Sequence, residues 1–552
     1  MDFQKILPSI LLCFLLIFES GCKPSSNSSP AKTAASVPPV TSGGSIHISG
    51  NLTYDFVSAS TGKLNFEGTT QKPMRNVFVE LLNAGDDSVV SSTSTDDLGA
   101  YDFSITSAGN IKLRIYAEMK SPWVIIQDNT NGNAEYALVT PAYSITASTV
   151  KDVRALSGWS GTNAAGSYNG TRVAAPFAML DSIYTITSKI KSVRPAIVFP
   201  QLKVNWSLNN VGVNGDPTLG QIITSHYDSG TNQLYILGKA DVDTDEYDNH
   251  VIVHEWGHFL EKNISRSDSM GGSHSFGDEK DMSLAFGEGW GNAISAMAFD
   301  PDVYYSDTSG SRQQSGFRIS LESSADTNKG WFSEVSAQEI LYDIYDSTNE
   351  AGDNLSLGIG PILDVLTGYQ KTTPAVTSIF SFIYGLKLAN PGLASDINTL
   401  VATKNIATIT NPYGTAEVNN GGWDKNLPVY NSITLGGAAV PISLYGNFGS
   451  LNNFYGLYNA VFNNKYLRFT ATTATTRLVV TSTDTFELEV SKLGAGAFAP
   501  QYQERTSAGV FGPFTYDIPT IAGQEYIVRI LTDQDVVFAN AIVTLTFTGT
   551  AR

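Results

Sequence analysis

Cysteine is nearly missing from this 552-residue chain, with only 2 copies, Cys13 and Cys22, both at the extreme start. Removal of a leader ending before Cys22 leaves no pair to form a disulfide, so the fold must stand on core packing and bound metal. That economy suits an exported bacterial protein better than a secreted eukaryotic one. Basic residues are scarce too, 34 Lys and Arg against 52 Asp and Glu for a formal charge of −18, and they form no cluster. Phosphate backbones are bound through such clusters, which excludes nucleic acid as a main partner. Histidine is the third scarcity, with 6 in the whole chain, so any regular spacing between histidines carries information. What is plentiful is core material: 42% of residues are hydrophobic and 11% aromatic, enough for a globular protein. The length exceeds what one core can serve and favours roughly three or four units.

The first apolar run, Ile6 to Phe18 behind Lys5, is too short to span a bilayer and suits the core of a signal peptide. It ends in Glu19-Ser20-Gly21-Cys22, small residues before a cysteine, which resembles a bacterial lipobox. Cys22 is then the expected site of lipidation and a membrane anchor, with residues 1–22 as signal peptide. Lys23 stands where an inner-membrane retention signal often has Asp, which favours the outer membrane or cell surface. Residues 23–43 are rich in Ser, Pro and Ala with almost no charge, the composition of a flexible tether.

Residues 44–145 carry short alternating runs, such as Val77-Phe78-Val79-Glu80-Leu81 and Ile111-Lys112-Leu113-Arg114-Ile115, between Gly, Asn and Asp turns. Period two with frequent turns predicts a β-sandwich. Pro73, that first run and Thr95-Asp96-Asp97-Leu98-Gly99-Ala100-Tyr101-Asp102-Phe103 resemble the transthyretin-like carboxypeptidase regulatory domain. Residues 146–434 hold the helical patterns: one opened by Pro176, then 249–262, 284–298, 335–346 and 375–388. In 435–552 alternation returns, as in Val543-Thr544-Leu545-Thr546-Phe547. Tyr466-Leu467-Arg468-Phe469-Thr470 and Ala522-Gly523-Gln524-Glu525-Tyr526-Ile527-Val528 resemble the bacterial pre-peptidase C-terminal domain.

The chemistry concentrates in Val251-Ile252-Val253-His254-Glu255-Trp256-Gly257-His258-Phe259-Leu260. Two histidines four residues apart share one helical face, so both imidazoles can reach one ion, and Glu255 projects beside that ion as a base would. With so few histidines, this H-E-x-x-H pattern arises by chance on the order of once in several hundred such chains. Catalytic zinc usually takes three protein ligands and keeps a place for water. The metzincin arrangement is excluded, because its glycine and third histidine fall on Glu261 and Ile264. Downstream, Glu288 is the one carboxylate in Leu284-Ala285-Phe286-Gly287-Glu288-Gly289-Trp290-Gly291-Asn292-Ala293-Ile294. A buried carboxylate needs a cation, and the glycines around it let its helix approach the first. His274 and Glu279 are rival ligands in a loop rich in Gly and Asp.

Together, His254-Glu255-Trp256-Gly257-His258, Gly271-Gly272 and Glu288-Gly289-Trp290 resemble the gluzincin zinc metallopeptidases, nearest to the fungalysin type, over about residues 245–300. The resemblance implies a zincin-like metallopeptidase domain flanked by two β-sandwich domains, in all a multidomain α+β protein. It also implies His254, His258 and Glu288 as zinc ligands and Glu255 as general base. Where the family has Asp four residues after its ligand Glu, this chain has Asn292, which can still accept a bond from a ligand histidine.

The expected reaction is endopeptidase cleavage of a protein or peptide. Zinc lowers the pKa of its water, Glu255 relays the proton, and Tyr342, Tyr345 or His274 stabilises the oxyanion. An aminopeptidase, or a surface binding lipoprotein with a structural or inactive zinc site, are the other readings. His250 lies one turn before His254 and is expected as a supporting residue. Asp241-Val242-Asp243-Thr244-Asp245-Glu246-Tyr247-Asp248 places five acids just upstream of the helix. They are expected to cap it through its dipole, with a calcium ion on Asp241, Asp243 and Asp245 as the alternative. The strand Gln233-Leu234-Tyr235-Ile236-Leu237 either borders the cleft and pairs with a peptide or lies inside the sheet.

Overall fold

The alternating and helical patterns take shape in a computed structural model that describes residues 45–323, 327–348, 350–445, 459–483, 486–492, 502–505, 512–532 and 542–552. The expected signal peptide, tether and Cys22 lie outside these residues. The described chain is mixed α/β. Strand Ile46–Ser58 sits at the centre of a five-stranded sheet with Asn65–Pro73, Ala100–Ile105, Thr149–Val150 and Val153–Ala155 as partners. A ten-stranded sheet runs in the order His226–Asp228, Gln233–Ile236, Leu202–Trp206, Trp123–Asp128, Gly109–Lys120, Val77–Asn83, Val89–Ser94, with three short strands attached to it.

The boundary expected near residue 145 is not a break in this packing. Leu202–Trp206 pairs in parallel with Trp123–Asp128, so one sheet carries strands from both sides of it. One hydrophobic core likewise joins Val79, Leu113 and Ile126 to Ile183, Trp256 and Trp290. Burying each such side chain contributes roughly 1.5–3 kcal/mol, so the two parts stabilise one another.

Helix α1 (Ala174–Val193) crosses this core with Pro176 in its first turn, where a missing N–H costs nothing. Helices α2 (Asn249–Ile264), α3 (Met282–Phe299) and α4 (Glu334–Tyr345) match the expected spans within two residues. The pattern at 375–388 starts later, at Ile379, because Ser378 caps that helix through the backbone N–H of Ser381. Helices at Ile359–Val365 and Ala394–Thr403 were not among the sequence expectations. Beyond residue 430, strands form a five-stranded and a four-stranded sheet around a second core that includes Leu467, Phe469, Val480, Leu488 and Phe547.

This last region is bonded to the start of α3. Asp281 caps Ser283 N at 2.9 Å, takes the Tyr466 hydroxyl at 2.7 Å and donates its own N–H to Asn459 O at 2.7 Å. Asn459 Nδ2 in turn donates to Gly271 O at 3.0 Å and Ser273 O at 3.2 Å, which braces the loop carrying His274.

Candidate metal centre and cleft

Helices α2 and α3 approach closely because small residues meet at their crossing. A Cβ on Gly257 would lie 2.8 Å from Ile294 and 3.2 Å from Gly291 Cα, and one on Gly291 would lie 2.8 Å from the His254 ring. Trp290 Nε1 donates to Gly257 O at 3.0 Å and fixes the register. Gly289 serves the other side, where its Cβ would meet Ala337 of α4 at 2.5 Å.

This crossing gathers the donors. His254 Nε2 lies 3.0 Å from His258 Nε2 and 3.2 Å from Glu288 Oε2, and His258 Nε2 lies 3.4 Å from the same oxygen. One donor atom from each of the three falls within 4.8 Å of the others, so the group can hold a metal ion. Asn292 Oδ1 faces His254 Nδ1 at 2.8 Å. Accepting the Nδ1 hydrogen leaves the Nε2 lone pair for a metal.

The charges compensate one another. Burial works to raise the Glu288 carboxyl, but His274 and then His258 overcome it and hold it well below the usual range. Burial works to lower His258, yet the Glu288 carboxylate lifts it to about 9. His274 is lifted to about 10 in the same way, against burial and by Glu288. Its Nε2 lies 3.2 Å from Glu288 and 3.6 Å from Glu334, so this loop residue meets the group through Glu288 and forms a second donor group with Glu288 and Glu334. Its rival Glu279 does not, since its Oε2 accepts from Trp423 Nε1 at 2.7 Å.

Glu255 lines the cleft beside the donors, with Oε2 accepting from Tyr227 N at 2.7 Å. Tyr227 belongs to the edge strand His226–Asp228, whereas Gln233–Ile236 lies inside the sheet between that edge and Leu202–Trp206. The internal option for that segment therefore holds, and the cleft is bordered by a three-residue strand too short to show a sequence pattern. The cleft encloses about 640 Å³ and is also lined by Val251, Gly271–Phe276, Tyr305, Phe317 and Glu334.

Other expected residues fall elsewhere. Tyr342 is buried in α4 and lines no part of the cleft; its ring packs on Tyr345 at 5.6 Å. The Tyr345 hydroxyl is engaged by Lys189 at 2.6 Å and Asp300 at 3.1 Å. Helical spacing gave their side of α4 but not which neighbour that side meets. Tyr305, from the strand Tyr304–Ser309, lines the cleft instead, its ring 6.0 Å from that of His254. His250 Nδ1 lies 3.0 Å from Ser295 Oγ, and burial pushes the ring down to about 3, which keeps it neutral.

The acids before α2 do not cap it through their side chains. Asp248 occupies the N-cap position, yet its Oδ2 accepts from Thr308 N at 3.0 Å and Thr308 Oγ1 at 2.9 Å. Asp241 is exposed and accepts from Arg312 N at 2.8 Å, apart from Asp243 and Asp245.

No family model and no curated protein matches the chain. Among solved structures, a surface-associated copper-binding protein of Methylomicrobium album BG8 aligns over 22% of this chain and 98% of its own, at 8% identity and a TM-score of 0.16. A periplasmic inhibitor of g-type lysozyme from Aeromonas hydrophila aligns over 22% and 97%, at 13% identity and a TM-score of 0.13. Likenesses this slight carry no argument about fold or chemistry.

Proposed function

We propose that the chain is a zinc-dependent endopeptidase whose catalytic region is zincin-like, with His254, His258 and Glu288 as metal ligands and Glu255 as general base. The observation that carries this reading is one cleft wall presenting a two-imidazole, one-carboxylate donor group with a second carboxylate, Glu255, one residue along. Two nitrogens and one oxygen suit zinc and leave a position for water or substrate. Zinc held there would polarise a scissile carbonyl and make a water acidic near neutral pH.

The chain's own groups do the rest. Glu255 takes the proton of the attacking water and delivers it to the amine that leaves as the C–N bond breaks. The Tyr227 N–H fixes one Glu255 oxygen and so aims the other. His274, whose Nε2 lies 3.2 Å from Glu288, would turn its Nε2–H to charge developing on the carbonyl oxygen. An extended peptide would pair along the edge strand His226–Asp228, which borders the same cleft.

Stripping the metal with a chelator should abolish cleavage of casein by residues 44–552, and zinc should restore it. Cleavage that survives metal removal would sink the reading. A structural or inactive zinc site is favoured by one observation, the reach of His274 to Glu288, since a fourth protein ligand closes the coordination sphere. His274→Ala separates the two: it lowers turnover if His274 serves the oxyanion and creates activity if His274 blocks the metal. We place the enzyme outside the cytoplasm, anchored through lipid on Cys22. Loss of membrane association in Cys22→Ser tests that, and retention would contradict it.

A further inference from the structure

A second group of acids opens into the same cleft. Asp243 and Asp245 come from the turn that leads into α2, and Asp307 from the hairpin Tyr304–Ser309 and Ser315–Ser320. One oxygen from each lies within 4.8 Å of the other two. Asp245 is only 3% exposed and Asp248, behind it, 0%. Asp245 Oδ2 accepts from Ser225 Oγ and Asp248 Oδ2 from Thr308, but no donor among the described residues reaches Oδ1 of Asp243, Asp245, Asp248 or Asp307. Desolvated carboxylate oxygens without donors cost several kcal/mol each unless a proton or a cation meets them, and at neutral pH a cation can serve several at once.

We propose that Asp243, Asp245 and Asp307, backed by Asp248, form a site for a hard divalent cation of calcium type that fastens the hairpin to the start of the catalytic helix. The donor set is all oxygen, with no imidazole or thiolate, which selects against zinc. Calcium accepts six to eight oxygens in irregular array and can complete its shell with water, whereas magnesium demands a near-ideal octahedron. Burial, then mutual repulsion, supports this: it pushes Asp307 up to about 7 and Asp245 well above the usual range.

The consequence for the cleft is geometric. The hairpin carries Tyr305 and Phe317, both in the cleft lining, and it joins the segment before α2 through one backbone pair, Asp243 and Ser309, and the side-chain bonds of Asp248 to Thr308 and Asp241 to Arg312. A cation shared by Asp307 with Asp243 and Asp245 would fix that wall against His254. This acid site is separate from the histidine group, so calcium binding and melting report on it without any measurement of hydrolysis.

The full chain, in detergent, is freed of metal on a chelating resin, reloaded with one equivalent of zinc, and melted with and without millimolar calcium. Terbium bound near Tyr305 provides a second readout through sensitised emission. Calcium should raise the wild-type midpoint by about 3 °C or more and quench the terbium emission by displacement. Asp307→Asn should lose both responses while melting no lower than wild type in calcium-free buffer, because a repelling charge has gone. Asp243→Asn serves as the second variant should the first fail to fold. A wild-type midpoint indifferent to calcium, an equal rise in a folded variant, or terbium emission displaced by zinc but not by calcium would overturn the proposal.

Discussion

Among the described residues, three candidate metal groups line one cleft, and the His254, His258 and Glu288 group differs from the Asp243, Asp245 and Asp307 group in how it balances charge. In the metal-free protein the histidine group compensates itself, because Glu288 raises His258 and His274 while they hold Glu288 down. The aspartate group has only acids, and among the described residues no Lys or Arg forms an ion pair with Asp243, Asp245, Asp248 or Asp307. Nitrogen with oxygen suits a borderline metal that does chemistry, whereas oxygen alone suits a hard one that holds structure. On the proposed reading, the same cleft separates catalysis from bracing by donor type.

The largest expected effect is on the histidine side. His258→Ala should lose bound zinc and reduce cleavage by at least ~1000-fold, measured by metal analysis and peptide assay. Asn292→Ala, which frees His254 Nδ1, should weaken zinc by about 10- to 100-fold in a competition titration. Neither substitution should alter the response to calcium. Gly291→Ala places a Cβ 2.8 Å from the His254 ring and should cost about 1–3 kcal/mol in denaturant unfolding, with zinc binding impaired.

A smaller effect separates the groups by pH. Asp243 and Asp307 titrate near about 6 and about 7 when folded, above their ordinary 3.8, so the folded state holds more protons between those values. Stability of metal-free protein should therefore fall as pH rises through that window, and calcium should remove the fall. His258, raised from 6.5 to about 9, adds stability that is fully present below 6.5 and lost as pH climbs through about 9. Melting midpoints from pH 4.5 to 9.5, with each metal added in turn, check both windows. The smallest effect belongs to Tyr342→Phe, which should leave turnover unchanged, because Tyr342 does not line the cleft.

Local signals were legible in the sequence and non-local ones were not. H-E-x-x-H on an apolar helix and a lone carboxylate among glycines are short-range patterns, and His254, His258 and Glu288 do stand within 4.8 Å. Asp307 was missed because it arrives from a hairpin more than fifty residues along the chain, and no spacing rule links it to Asp243 and Asp245. The parallel pairing of Leu202–Trp206 with Trp123–Asp128 is equally non-local, so composition suggested a boundary where the sheet is continuous. Tyr342 shows a different limit, since periodicity assigns a residue to a helix face without saying what that face meets.

In the proposed mechanism Glu255 acts on the substrate's water while His254, His258 and Glu288 hold zinc. Zinc content and casein cleavage of residues 44–552 compared with Glu255→Gln test it most directly. One zinc per chain in both proteins and cleavage by the wild type alone are expected. Undiminished cleavage by Glu255→Gln, or wild-type protein that binds no zinc, would contradict it.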